Sequence, residues 1–129
     1  MGSSIKTVSA LSNLQPQEQK ALMELVTCLR ERFSDVIRHV LLFGSKVRGD
    51  SDPESDIDLL IVVEDYNWAL EKEITRLTTE TDYAFGVVVS DHVISRARFH
   101  QMGARREPLY HSLEREGVDL WISEPHPTI

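Results

Sequence analysis

Leu42-Phe43-Gly44-Ser45-Lys46-Val47-Arg48-Gly49-Asp50, followed after a short gap by Ser55-Asp56-Ile57-Asp58-Leu59, contains the ends of two strands and the connection between them. The first strand is the β-branched and aliphatic run 36–43, which stops abruptly at Gly44-Ser45. Residues 44–55 carry Gly49, Asp50, Ser51, Asp52, Pro53 and Ser55, the composition of a turn-rich link. At 56–63, Asp-Ile-Asp-Leu-Leu-Ile-Val-Val reads as a second strand, polar at its start and wholly apolar afterwards. A strand that is apolar on both sides needs cover on both faces.

Working outward, Pro16 suits the first turn of a helix, where its missing N–H costs nothing. Leu22, Leu25, Val26, Leu29 and Phe33 then recur at helical spacing, so a helix is expected at 16–34. Downstream, Asp65 or Asn67 can cap a helix at 67–80 whose inner stripe is Leu70, Ile74 and Leu77. The apolar run 84–89 reads as a third strand, and two short helices are expected at 93–101 and 107–116, stopped by Gly117. A last short strand or strap is expected at 118–122. No repeat or linker interrupts the pattern. The reading is one α/β (α+β) domain at 16–122, a small mixed sheet flanked by helices, with a loose lead-in at 1–15 and a frayed tail at 123–129.

The 129 residues suffice for one domain with a real core. No stretch is long and apolar enough to cross a bilayer, and the N-terminal residues lack the apolar segment of a signal peptide. The single cysteine, Cys28, excludes an intramolecular disulfide and reads as a buried structural thiol. A cytoplasmic location is expected. The 21 acidic and 14 basic residues give a formal charge of −7, which argues against general nucleic-acid binding. The basic side chains of 96–115 are local and read mainly as a solvated helix face. Trp68 and Trp121 read as packing residues, and the five histidines lack zinc-ligand spacing.

The chemistry concentrates around the opening motif. Residues i and i+2 of a strand share a side, so Asp56 and Asp58 project together, about 6–7 Å apart along the backbone. Two carboxylates that close repel unless a cation sits between them, and a hard cation such as Mg²⁺ takes carboxylate and phosphate oxygens. An isolated Asp-x-Asp is common and usually marks solvated acids. Here it opens a core strand and follows a Gly-Ser turn, a much rarer combination. Gly44 lets the chain approach a ligand closely, Ser45 supplies a hydroxyl, and the next residues can start a helical turn whose N–H groups hold phosphate. Lys46 and Arg48 either balance phosphate charge or face solvent. With phosphates at the turn and metal on Asp56 and Asp58, an α-phosphorus would be aligned for in-line attack.

Gly44-Ser45, ten residues, then Asp56-Ile57-Asp58 resembles the signature of the minimal nucleotidyltransferase domains of the DNA polymerase beta superfamily. Pro108-Leu109-Tyr110 and Arg115-Glu116-Gly117-Val118 are similar to the tail of that subgroup. The resemblance implies a polymerase-beta-like palm core. It implies that Gly44 and Ser45 bind the β- and γ-phosphates of an NTP, most often ATP, and that Asp56 and Asp58 hold Mg²⁺ or Mn²⁺. Such domains often pair with a helical HEPN-domain partner in toxin–antitoxin systems, and some move AMP onto that partner. The family usually adds a third carboxylate on the next strand. The corresponding position falls near 84–86, where there is no acid; Asp82, just before the expected strand, is the candidate substitute, and Asp91 is expected at the strand's far end.

Two functions follow. The first is a metal-dependent nucleotidyltransferase moving an NMP onto a hydroxyl of a protein or small molecule, with a partner or a second copy completing the acceptor site. The second is a catalytically weak, antitoxin-like protein that neutralises a HEPN-type partner by binding alone. The absent third acid favours the second, and the intact Gly-Ser and Asp-x-Asp elements favour the first.

Overall fold

The computed structural model describes residues 11–50 and 55–122. Five helices and four strands follow one another among these residues: α1 (Pro16–Phe33), β1 (Ile37–Phe43), α2 (Ser45–Arg48), β2 (Ile57–Val63), α3 (Trp68–Phe85), β3 (Val89–Ser95), α4 (Arg96–Ala104), α5 (Pro108–Glu116) and β4 (Val118–Asp119), with a 3-10 turn at Leu120–Ile122. The sheet order is β3-β2-β1-β4. β1 runs antiparallel to β2 and to β4, whereas β2 and β3 are parallel. Parallel neighbours need a long crossover, and α3 supplies it.

β2 is the centre of the molecule. Ile57, Leu59, Ile61 and Val63 point to the face covered by α1 and α3, where they meet Leu22, Leu25, Leu29 and Ile74. Leu60 and Val62 point the other way, against Met102 of α4 and Leu113 of α5. Cover on both faces is what the uninterrupted apolar sequence required. Asp58 shares the side of Leu60 and Val62, so it opens the α4/α5 face of the sheet.

Helix α1 starts at Pro16 as expected, and the Gln15 amide donates to Glu18 Oε1 at 2.8 Å. The packed structure is already in place before it. Leu14 is buried in the core and Asn13 Nδ2 donates to the Val47 carbonyl at 2.7 Å, so 11–15 belong to the domain rather than to a loose lead-in. The expected tail at 123–129 lies outside the described residues.

The third strand is where sequence and structure part. Helix α3 does not stop at 80 but continues to Phe85, because Thr78 and Thr81 bury their hydroxyls by donating to the carbonyls of Ile74 and Leu77. Gly86, at φ 67, ends it in the left-handed conformation. The apolar run expected as a strand at 84–89 is therefore the helix end and its exit, and β3 lies at 89–95. Asp91 sits inside this strand, facing α3, where its Oδ2 accepts from Thr75 Oγ1 at 2.9 Å. The helices expected at 93–101 and 107–116 occur at 96–104 and 108–116.

Trp121 packs on the core beneath the Arg30 guanidinium, 4.8 Å from the ring centre, while Arg30 donates to the Leu120 and Trp121 carbonyls. Trp68 is not a packing residue: in the first turn of α3 it is 68% exposed, with Lys72 Nζ over its ring. Cys28 is half-buried rather than fully buried, and burial, then the nearby Glu24 carboxylate, raise its thiol above the ordinary value. The expected solvated basic face carries internal pairs, Arg98 with Glu107 and Arg96 with Glu64.

Candidate active site

The antiparallel register puts Phe43 opposite Asp58, so the Gly-Ser turn begins one residue beyond the Asp58 rung. Gly44 has φ 90 and ψ −162, a region essentially restricted to glycine. A side chain there would also collide with Asp58 Oδ2. The turn and the second acid of Asp-x-Asp are thus in contact, although Asp58 lies thirteen positions beyond Ser45 in the chain. Ser45 opens α2, whose first N–H groups have no acceptor within the helix. Gly44 O accepts from the amides of Val47 and Arg48, and Gly49 N donates to Ser45 O, closing the turn on itself.

Asp56 is exposed and Asp58 half-buried at the mouth of β2. Among the described residues neither forms an ion pair. Burial, and next the charge of Asp56, push the Asp58 carboxyl above its ordinary value, with His92 and Arg48 opposing the shift. Asp56 stands one residue before β2, and two neighbouring carboxylates lacking a cationic partner are a donor set short of positive charge, which fits a hard divalent cation. The set has two protein carboxylates; no group of three or more ligating side chains occurs among the described residues.

Asp82 does not complete it. It lies in the last turn of α3, not in the approach to a strand, and its Oδ1 accepts from the Val89 amide at 3.0 Å. Burial raises its carboxyl above the ordinary value, Asp91 and Asp56 push it the same way, and the Val89 hydrogen bond works against them. This hydrogen bond ties the end of α3 to the start of β3. On β3, the residue opposite Asp58 is Ser90, and opposite Leu60 is His92, whose Nε2 lies 3.5 Å from Ser90 Oγ. Residues 84–86, where the family's third carboxylate was expected, are the end of α3 and its cap, and the Asp58 side of β3 presents a hydroxyl and an imidazole.

Lys46 does not face solvent. Its side chain is 3% exposed, and Nζ lies 2.8 Å from Glu18 Oε2, so its ammonium is turned inward to α1. The short helix has an inner side, and Lys46 falls on it. Arg48 remains at the site, half-exposed, with Nε 3.1 Å from Asp50 and Nη1 3.0 Å from Glu116. Glu116 entered the sequence reading only within the family-like tail, with no role at the site. The β1–β4 pairing that sets Leu42 opposite Val118 brings it to Gly44, whose amide donates to Glu116 Oε2 at 3.2 Å. Only the register of a two-residue strand carries that information. A cavity of about 330 Å³, lined by Phe43, Leu60, His92, Met102 and Leu109 among others, opens on the Asp58 face between the sheet and α4/α5.

Residues 22–112 match the family described as "Nucleotidyltransferase domain". Two curated proteins of Methanocaldococcus jannaschii are similar to the chain. The one named "Putative protein adenylyltransferase MJ0604" is 36% identical over 85 residues, 65% of this chain and 80% of the relative. The one named "Putative protein adenylyltransferase MJ0141" is 32% identical over 76 residues, 53% of this chain and 77% of the relative. No helix among the described residues is long and apolar enough to cross a membrane. A Gly-Ser turn packed on the second acid of an Asp-x-Asp strand, in a mixed α/β sheet and within the matched span, makes this chain a member of the nucleotidyltransferase domain family.

Proposed function

We propose that the chain transfers AMP from ATP to a hydroxyl group of a protein partner. The contact between Gly44 and Asp58 carries this reading, because it brings a phosphate-type turn and a carboxylate pair into one site. The names of the two relatives favour adenylyl transfer and a protein acceptor. The Ser45 hydroxyl and the opening amides of α2 hold the outer phosphates. Asp56 and Asp58 hold Mg²⁺ or Mn²⁺, which supplies charge neutralisation on the phosphate oxygens. The acceptor oxygen bonds to the α-phosphorus, the bond from that phosphorus to the bridging oxygen of the β-phosphate breaks, pyrophosphate leaves, and the hydroxyl proton passes to solvent. The protein's contribution is positioning and preorganised charge.

The site lies open beside the 330 Å³ cavity, and a partner protein of the helical HEPN type, or a second copy, supplies the acceptor there. A second reading, a binding protein that neutralises such a partner without transfer, is favoured by the strand beside Asp58 presenting Ser90 and His92 rather than a carboxylate on that side. Incubation with α-³²P-ATP and Mg²⁺ or Mn²⁺, with and without a candidate HEPN-type protein, separates the two. Covalent label lost in both Asp56→Asn and Asp58→Asn supports transfer. A stable partner complex with no label above the Asp56→Asn, Asp58→Asn double variant supports binding alone.

A further inference from the structure

We infer that Glu116 is a positioning residue for the phosphate-binding turn, so that the C-terminal helix completes a site whose other parts lie between residues 44 and 58. The inference rests on the transferase reading above. Its geometry begins with the sheet. Leu42 pairs with Val118 and Leu41 with Asp119, so the same antiparallel register, carried two residues further, sets Gly44 opposite Glu116. The ladder cannot continue there, because Glu116 is the last residue of α5 and Gly117 donates its amide back to Leu113. The Glu116 side chain takes the next rung instead. Its Oε2 accepts from the Gly44 amide at 3.2 Å and from Arg48 Nη1 at 3.0 Å.

One oxygen therefore holds both ends of α2: the glycine that precedes it and the arginine that closes it. The side chain is 10% exposed, so these bonds are made largely out of water, where a carboxylate left without donors is costly. A carboxylate beside a triphosphate site is electrostatically unfavourable for binding the nucleotide. Its presence there is explained by what it fixes. Gly44 has a conformation open only to glycine and touches Asp58, so the peptide leading into it sets the distance between the turn and the metal-binding acids. Holding that amide and the Arg48 guanidinium holds Ser45 in register with Asp58.

The test uses the full chain as wild type, Glu116→Ala, Glu116→Gln and Asp58→Ala, each checked for its melting temperature. Gly44 amide exchange is followed by NMR, ATP affinity is measured by titration with MgATP, and label transfer gives kcat and KM. Glu116→Gln keeps an acceptor oxygen for Gly44, so it rescues. The expected result is Gly44 exchange at least about tenfold faster in Glu116→Ala, with kcat per folded molecule down about tenfold or more and KM for ATP changed less. Glu116→Gln stays within about threefold of wild type in both. Three results overturn the inference: Glu116→Ala binding ATP more tightly, which makes Glu116 a competitor of phosphate; Glu116→Gln as impaired as Glu116→Ala; or unchanged kcat per folded molecule in both. Failure of the transferase reading looks different, since wild type itself would then show neither MgATP binding nor label, and the positioning role would fall with it.

Discussion

Replacing Gly44 with alanine tests the central contact of the site. The backbone conformation at φ 90 and ψ −162 costs a non-glycine residue about 1–3 kcal/mol. The new Cβ also meets the Asp58 carboxylate, and rotating Oδ2 away gives limited relief because Cγ is itself 3.2 Å from that position. Overpacking of this kind adds about 1–2 kcal/mol. The sum is about 2–5 kcal/mol, which for a 129-residue domain corresponds to a fall in Tm of roughly 7–18 °C. Urea denaturation of wild type, Gly44→Ala, Asp58→Ala and the double variant separates the two contributions. The backbone part persists when Asp58 is truncated and the collision part disappears, so the cycle leaves a coupling of about 1–2 kcal/mol. A Gly44→Ala variant within about 0.5 kcal/mol of wild type would refute the backbone argument. A cycle that closes to within that same margin would refute the contact.

Lys46→Ala leaves Glu18 buried without its counter-ion and should cost about 3–5 kcal/mol by urea denaturation, whereas Lys46→Met with Glu18→Leu should recover most of it. A fully stable single variant would mean that the pair is not buried as described. Asp58 makes a pH-dependent prediction. Its carboxyl is raised in the folded state, so the folded protein binds the proton more tightly and wild-type stability falls as pH rises through the window above the ordinary value of about 3.9. Asp58→Asn should therefore melt higher than wild type at pH 7, the gap closing toward pH 4 and narrowing when Mg²⁺ is added to wild type. A lower Tm for Asp58→Asn at pH 7 would contradict the sign.

Much of the fold was legible because β2 announces itself. A wholly apolar strand with acids at its head fixes a core element, its two-sided cover and a rim where chemistry can sit. Helix α1 was legible from Pro16 and its apolar spacing, and the cap of α3 from Asn67, whose side chain accepts from the Leu70 amide. The third strand was misplaced for a local reason. Ala84–Val89 is more apolar than Val89–Ser95, and nothing in the spacing shows that Thr78 and Thr81 satisfy their hydroxyls inside a helix. That shift moved the assignment of Asp82 and Asp91 with it.

The motif is legible from residue order alone: a glycine and a serine after one strand, and two carboxylates at the head of the next, of which Asp58 takes the Leu60 side by strand alternation. Tertiary structure alone decided which of the surrounding charges belong to the site. Lys46, four residues from Asp50 in the same loop, turns into the core to meet Glu18, while Glu116, remote in sequence, arrives at Gly44 through a two-residue strand. Charge and spacing along a chain say that a side chain can reach; only the packing of helix on sheet and the register of paired strands say in which direction it does.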